Sequence, residues 1–151
     1  MDKATTKQAV LAAAKRKLEE HMAEYKERIN ELRAETVEND LPESASQTEG
    51  RRDANIELMN SIGEQYEEVQ RELDTLAQVD GEPCADVRFG AVVHTNLRNL
   101  LIATSVDEFK AAGRSYLGLS AQAPLFLTMK GKKVGDILSY NGMTYTIEDI
   151  F

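Results

Sequence analysis

Apolar residues recur at intervals of three and four through the first half of this chain, in two separate runs. Leu11, Leu18, Tyr25 and Leu32 fall seven residues apart, with Met22 and Ile29 in the second seam position. Met59, Ile62, Tyr66, Val69, Leu73 and Leu76 alternate the same two steps. A helix brings residues so spaced to one side, and the narrow stripe they make is the seam of a coiled coil. Pro42 separates the runs. It lacks an N–H and disfavours helix at Leu41, so the first helix is expected from about Thr6 to Glu38. Ser46 and Glu49 are spaced as a capping box, which starts a second helix expected to reach Gln78. Gly63 weakens it by about 1 kcal/mol relative to alanine. Two striped helices joined by a short break fold back as an antiparallel coiled-coil hairpin. At 1.5 Å per residue the arm is about 45 Å long, with residues 39–46 at its tip.

The turn formers of Val79-Asp80-Gly81-Glu82-Pro83 end this regime. Beyond them come short apolar runs: Phe89–Thr95, Asn99–Thr104, Ser115–Leu119, Ile137–Tyr140 and Met143–Ile150. Asn141-Gly142 lies between the last two, and both residues tolerate the positive φ of a tight hairpin turn. Val106–Ala112 is expected to be helical or irregular. The expected fold class is therefore α+β. A hairpin over 1–79 precedes a small antiparallel sheet over 80–151, with room for one helix.

Charge sharpens this division. Residues 1–80 hold 11 Lys and Arg against 19 Asp and Glu, whereas residues 81–151 hold 7 of each. The net charge of −8 thus lies on the hairpin. An acidic arm is unsuited to sequence-independent binding along a nucleic-acid backbone, which displaces counterions with Lys and Arg. Most of these acids solvate exposed helix faces. Lys3, Lys7, Lys15, Arg16 and Lys17 form a basic cluster near the base of the arm. One cysteine, Cys84, rules out an intrachain disulfide framework. No apolar run approaches the roughly 20 residues that cross a bilayer, and the opening Met1–Lys7 is polar, so a cytoplasmic protein is expected. Neither His21 nor His94 has a second His or Cys beside it in sequence, so metal ligation or acid–base chemistry is not expected of them. No phosphate loop or nucleophile elbow is present.

Three segments resemble a known family in order and spacing. They are Asn39-Asp40-Leu41-Pro42-Glu43-Ser44-Ala45 at the tip, Leu119-Ser120-Ala121-Gln122-Ala123-Pro124-Leu125 followed by Gly131-Lys132-Lys133-Val134-Gly135-Asp136, and the closing Tyr145–Ile150. Together they resemble the Gre transcript-cleavage factors of bacterial RNA polymerase over roughly residues 8–151. The resemblance implies an FKBP-like C-terminal domain that docks at the rim of the polymerase secondary channel, through Ser120, Gln122, Pro124 and Leu125. It further implies that the hairpin threads the channel to a backtracked active site and meets the nascent RNA 3′ end only indirectly. There Asp40 and Glu43 would help hold a Mg²⁺ shared with the polymerase, none being bound in isolation, while Arg51 and Arg52 stand near the tip.

The residue types suit that role. Mg²⁺ takes hard oxygen ligands and accepts one or two protein carboxylates. Paired metals stabilise both the attacking and the leaving oxygen of an in-line displacement. The chain would be no enzyme alone, but would stimulate the polymerase's own endonucleolytic activity. Ser44, Gln47, Pro42, Ala123, Phe126 and Leu127 depart from the family pattern. A cleavage factor and a channel-occupying regulator or inhibitor therefore both stay open. Pro124, Leu125 and Phe126 are read equally as core or as docking surface. A prolyl isomerase is disfavoured because the second half has no Trp to line a proline pocket, and a monomer is expected because the seam closes within the hairpin.

Overall fold

The computed structural model describes residues 2–38 and 45–151, and of residues 37, 38 and 45–51 the backbone alone. Two long helices, α1 (Lys3–Glu38) and α2 (Ala45–Ala77), precede a mixed six-stranded sheet, and the fold is α+β. α1 begins earlier than the heptad pattern indicates because Asp2 caps it. The Asp2 carboxylate accepts the Thr5 N–H at 2.7 Å and its carbonyl accepts the Thr6 N–H at 3.0 Å. The bond from Thr5 holds the Asp2 carboxyl below its usual range. α2 begins at Ala45, one residue before the serine named as its cap; the side chains of that capping box lie outside the described residues.

The chain divides into two compact units. Glu19–Arg71 is the smaller, made of the adjoining parts of α1 and α2. Leu32, Ile62 and Val69 are buried there, and Met22, Tyr25, Ile29, Met59 and Tyr66 are half-buried. These are residues of the two heptad stripes. Outward positions carry ion pairs one turn apart, Arg28 with Glu31 and Arg71 with Glu68, whose exposure leaves each contributing little.

The larger unit joins the chain up to Leu18 with Glu72–Phe151. Its strands are β1 (Val92–Thr95), β2 (Asn99–Ala103), β3 (Val106–Ala111), β4 (Arg114–Ser120), β5 (Ile137–Tyr140) and β6 (Met143–Ile150), with a short helix α3 (Pro124–Met129) before β5. Spatial order is β3-β4-β2-β1-β6-β5. All pairings are antiparallel except β2 with β4, where Leu100 stands opposite Leu117 and Ile102 opposite Leu119. The sheet is thus mixed, not the purely antiparallel one expected. The parallel pair arises because β3 is a strand and takes the edge, which leaves β4 to run beside β2.

β3 was hidden in the sequence by its turn. Ala111 pairs with Arg114 across a two-residue connection, Ala112-Gly113, with φ of 49° and 75°. That is the backbone of a tight hairpin built with alanine where Asn or Asp is usual. Asn141-Gly142 makes the corresponding turn between β5 and β6, as expected, with φ of 52° and 77°.

Both sheet faces are buried. Val93, Leu100, Ile102 and Ile147 share one core with Leu125, Phe126 and Met129 of α3. Their neighbours Val92, Leu101, Ala103 and Tyr116 are buried on the other face, and Val10 and Ala14 of α1 are buried in the same unit. Lys7, grouped by sequence with the basic cluster near the base of the arm, is fully buried and donates its Nζ hydrogens to the Glu82 carbonyl and, at 3.6 Å, the Cys84 sulfur.

Two stability changes follow. A Cβ at Gly118 would lie 2.6 Å from the Thr104 carbonyl oxygen and from Val106. Gly118→Ala is therefore expected to destabilise by about 1–3 kcal/mol, read as a lowered denaturant midpoint at unchanged m-value. Ala112→Asn, which tolerates positive φ better, is expected to raise stability by up to about 1 kcal/mol in the same titration.

Candidate functional site

The sequence places candidate chemistry in two regions, one on each unit. Asp40 and Glu43 lie outside the described residues, as does the side chain of Arg51. Arg52 is exposed on α2. Ile56 and Leu58 are also exposed, off the heptad stripe, on an otherwise charged surface. Neither was singled out by sequence, because an off-stripe apolar residue has no periodic signature.

The second region follows β4. Ser120 organises it: its hydroxyl oxygen accepts the Gln122 N–H at 3.1 Å, and its carbonyl accepts the Ala123 N–H at 3.0 Å. Ala123 is extended, with φ −67° and ψ 137°, as the residue before proline must be, and it supplies no side-chain cap. Pro124 then opens α3 at the position where its missing N–H costs nothing.

The resulting helix has two characters. Leu125, Phe126 and Met129 enter the core, so of the apolar run only Pro124 stays exposed. Leu127 points outward, 60% exposed. Past the helix, the Asp136 carboxylate accepts the Lys133 N–H at 2.8 Å, and this turn holds Val134 outside, 54% exposed. Ile137, on edge strand β5 against which α3 packs, is 65% exposed. Exposed Lys130 and Lys133 flank these side chains. The 120–137 stretch is therefore a polar turn, a buried anchor and an outward apolar set bordered by lysines. Of the residues assigned to docking, Ser120, Gln122 and Pro124 are accessible in whole or part and Leu125 is in the core. Val134 and Ile137 were missed; their signal is an apolar residue on each side of the Gly135 turn with a polar partner in register, since Ile137 pairs with Thr146.

One buried polar pair also escaped sequence reading. His94 Nε2 lies 2.8 Å from the Tyr116 hydroxyl, with the Phe151 ring edge-on at 5.1 Å. β1 and β4 bring the two together though they are 22 residues apart. Burial lowers the His94 pKa, and the Arg114 guanidinium adds to this, while Asp149 and Glu148 pull the other way. Burial raises that of Tyr116. Among the described residues no group of three or more His, Cys, Asp or Glu is placed to hold a metal ion, and no helix is long and apolar enough to cross a membrane.

Compared with family models, with curated proteins and with solved structures, the chain finds no match.

The depressed His94 pKa sets a pH dependence. The unfolded histidine takes up its proton at about pH 6.5, before the folded one does, so acid favours the unfolded state. This contribution is present in full above that pH and is lost as pH falls through the lower, folded value. The thermal midpoint is expected to decline on acidification from about pH 7.5 to about pH 5, and His94→Gln to flatten that part of the curve.

Proposed function

We propose that this chain is a Gre-like factor of bacterial RNA polymerase that enters the secondary channel and stimulates cleavage of backtracked RNA. The observation that carries the reading is the helical pair. α1 and α2 bury their heptad stripes in the Glu19–Arg71 unit, and the 39–44 connection between them holds Asp40 and Glu43. The segment of α1 in that unit is about 30 Å long.

Support also comes from the 120–137 stretch, whose exposed Leu127, Val134 and Ile137, with lysines beside them, suit a partner surface that is apolar and acidic. The β unit then acts as the docking body, and the FKBP-like label belongs to the same proposal. The factor works as a cytoplasmic monomer, because its seam is closed within one chain. In isolation it is not an enzyme.

Asp40 and Glu43 would supply oxygen ligands to a Mg²⁺ whose remaining ligands the polymerase provides, and that ion would stabilise charge on the oxygens of the displaced phosphodiester. This chain contributes position: a stiff coiled coil holds two carboxylates where a mobile loop would spend binding energy on ordering them.

The test is RNA cleavage in a stalled, backtracked elongation complex with polymerase from the same organism. Wild type is expected to shorten the RNA in Mg²⁺, and Asp40→Asn/Glu43→Gln to bind normally and cleave at most a hundredth as fast, on the scale of losing an acid or metal-positioning group. Leu127→Asp/Ile137→Asp is expected to weaken polymerase binding by about tenfold or more. Tight binding of the wild type with no cleavage would identify a channel-occupying regulator. Failure to bind core polymerase would end the proposal.

A further inference from the structure

The two edges of the sheet are finished differently. β3 carries Asp107, Glu108 and Lys110 as exposed residues, and its register against β4 shifts between Val106 and Phe109. Charges and an irregular register are how an edge is closed to a further strand. β5 at the other edge has neither. Ile137-Leu138-Ser139-Tyr140 holds no charged residue, and its register against β6 is unbroken.

Pairing parity decides which backbone groups of β5 face outward. The two-residue turn Asn141-Gly142 makes Tyr140 and Met143 a hydrogen-bonded pair, and in an antiparallel ladder such pairs recur at every second residue. Leu138 and Tyr145 are the next. Beyond them the Ile147 N–H donates to the Asp136 carbonyl at 2.9 Å, in phase with both. Ile137 and Ser139 therefore turn their N–H and C=O groups away from β6, along the edge of the sheet. α3 lies against the face instead, where Leu138 is buried in one core with Leu125, Phe126 and Met129. Two donors and two acceptors thus stand in a row, at the spacing with which an extended chain pairs.

The surroundings give that chain its character. Ile137 is exposed beside the open backbone, and so is Val134 across the Gly135 turn. Within residues 124–147, Lys130, Lys132 and Lys133 stand against a single acid, Asp136, in a chain whose net charge is −8. The Asp136 carboxylate accepts the Lys133 N–H, while Lys130 and Lys133 are exposed. A segment with an apolar residue beside Ile137 and acidic residues toward the lysines complements this edge.

We propose that β5 binds an acidic, extended segment of a partner protein by strand addition. Main-chain bonds to Ile137 and Ser139 set its register, and the lysines select its charge. Strand addition rests on the reading of the 120–137 stretch as a docking surface, and specifies the form that the partner takes there.

The test uses the full chain and two probes. One is the synthetic peptide acetyl-Glu-Val-Glu-Val-Glu-Val-amide, set against its counterpart with Lys for Glu; the other is core polymerase from the same organism. Followed by amide resonances and hydrogen exchange, the acidic peptide is expected to shift and protect the Ile137 and Ser139 N–H groups saturably at millimolar concentration. The basic peptide is expected to bind at least about tenfold more weakly. Ser139→Pro deletes one outward donor and obstructs an added strand, but leaves the bonds of Leu138 and Tyr140 to β6 in place. It is expected to keep the protection of those two amides and to weaken peptide binding by about tenfold or more, while Ser139→Ala binds as wild type. Lys130→Glu/Lys133→Glu, which leaves the backbone alone, is expected to reverse the preference between the peptides. Strand addition is overturned if the acidic peptide leaves the Ile137 and Ser139 amides unprotected, or if Ser139→Pro binds it as tightly as wild type; an unchanged preference in the lysine variant overturns the acidic assignment. Peptide binding without binding of core polymerase overturns the polymerase reading alone.

Discussion

A sheet whose central strands are apolar on both faces has to be covered twice, and the larger unit is organised around meeting that demand. Val92 and Val93, and Leu100, Leu101 and Ile102, send successive side chains to opposite sides, and all five are buried. A six-residue helix and its flanking loops cover one face. The other is buried in a unit that includes the first turns of α1, where Val10 and Ala14 have no exposure. Water on either face would forfeit about 1.5–3 kcal/mol for each large side chain. The start of the long helix thus belongs to the same compact unit as the sheet.

Lys7 shows how firmly that arrangement is imposed. A lysine is rarely buried without a partner, because its ammonium loses its hydration shell. Here the Glu82 carbonyl and the Cys84 sulfur replace part of that shell. Lys3 reaches Asp149 on β6, which ties α1 to the sheet itself. The His94–Tyr116 hydrogen bond is buried in the same unit.

The candidate surfaces divide along similar lines. The Glu19–Arg71 unit holds the adjoining parts of the two long helices, with heptad positions buried and charged residues exposed. The 120–137 stretch presents apolar side chains outward only because Leu125, Phe126 and Met129 anchor α3 inward. One short segment therefore serves as core and as exposed rim, a residue at a time.

The heptad helices, the β-rich second half and the Asn141-Gly142 hairpin were legible in the sequence, because each is written in local periodicity or turn chemistry. The hairpin of β3 and β4 was not. Ala112-Gly113 lacks the asparagine signature, and Ala112 adopts positive φ only because the strands on either side pair. The parallel register of β2 and β4 depends on that hairpin and was hidden with it. The burial of Leu125 and Phe126, the exposure of Val134 and Ile137, and the meeting of His94 with Tyr116 likewise came only with the tertiary structure. Local patterns determine which elements form, since they act through backbone geometry within a few residues. Which face is covered, and which distant side chains meet, is decided by packing between elements far apart in the chain.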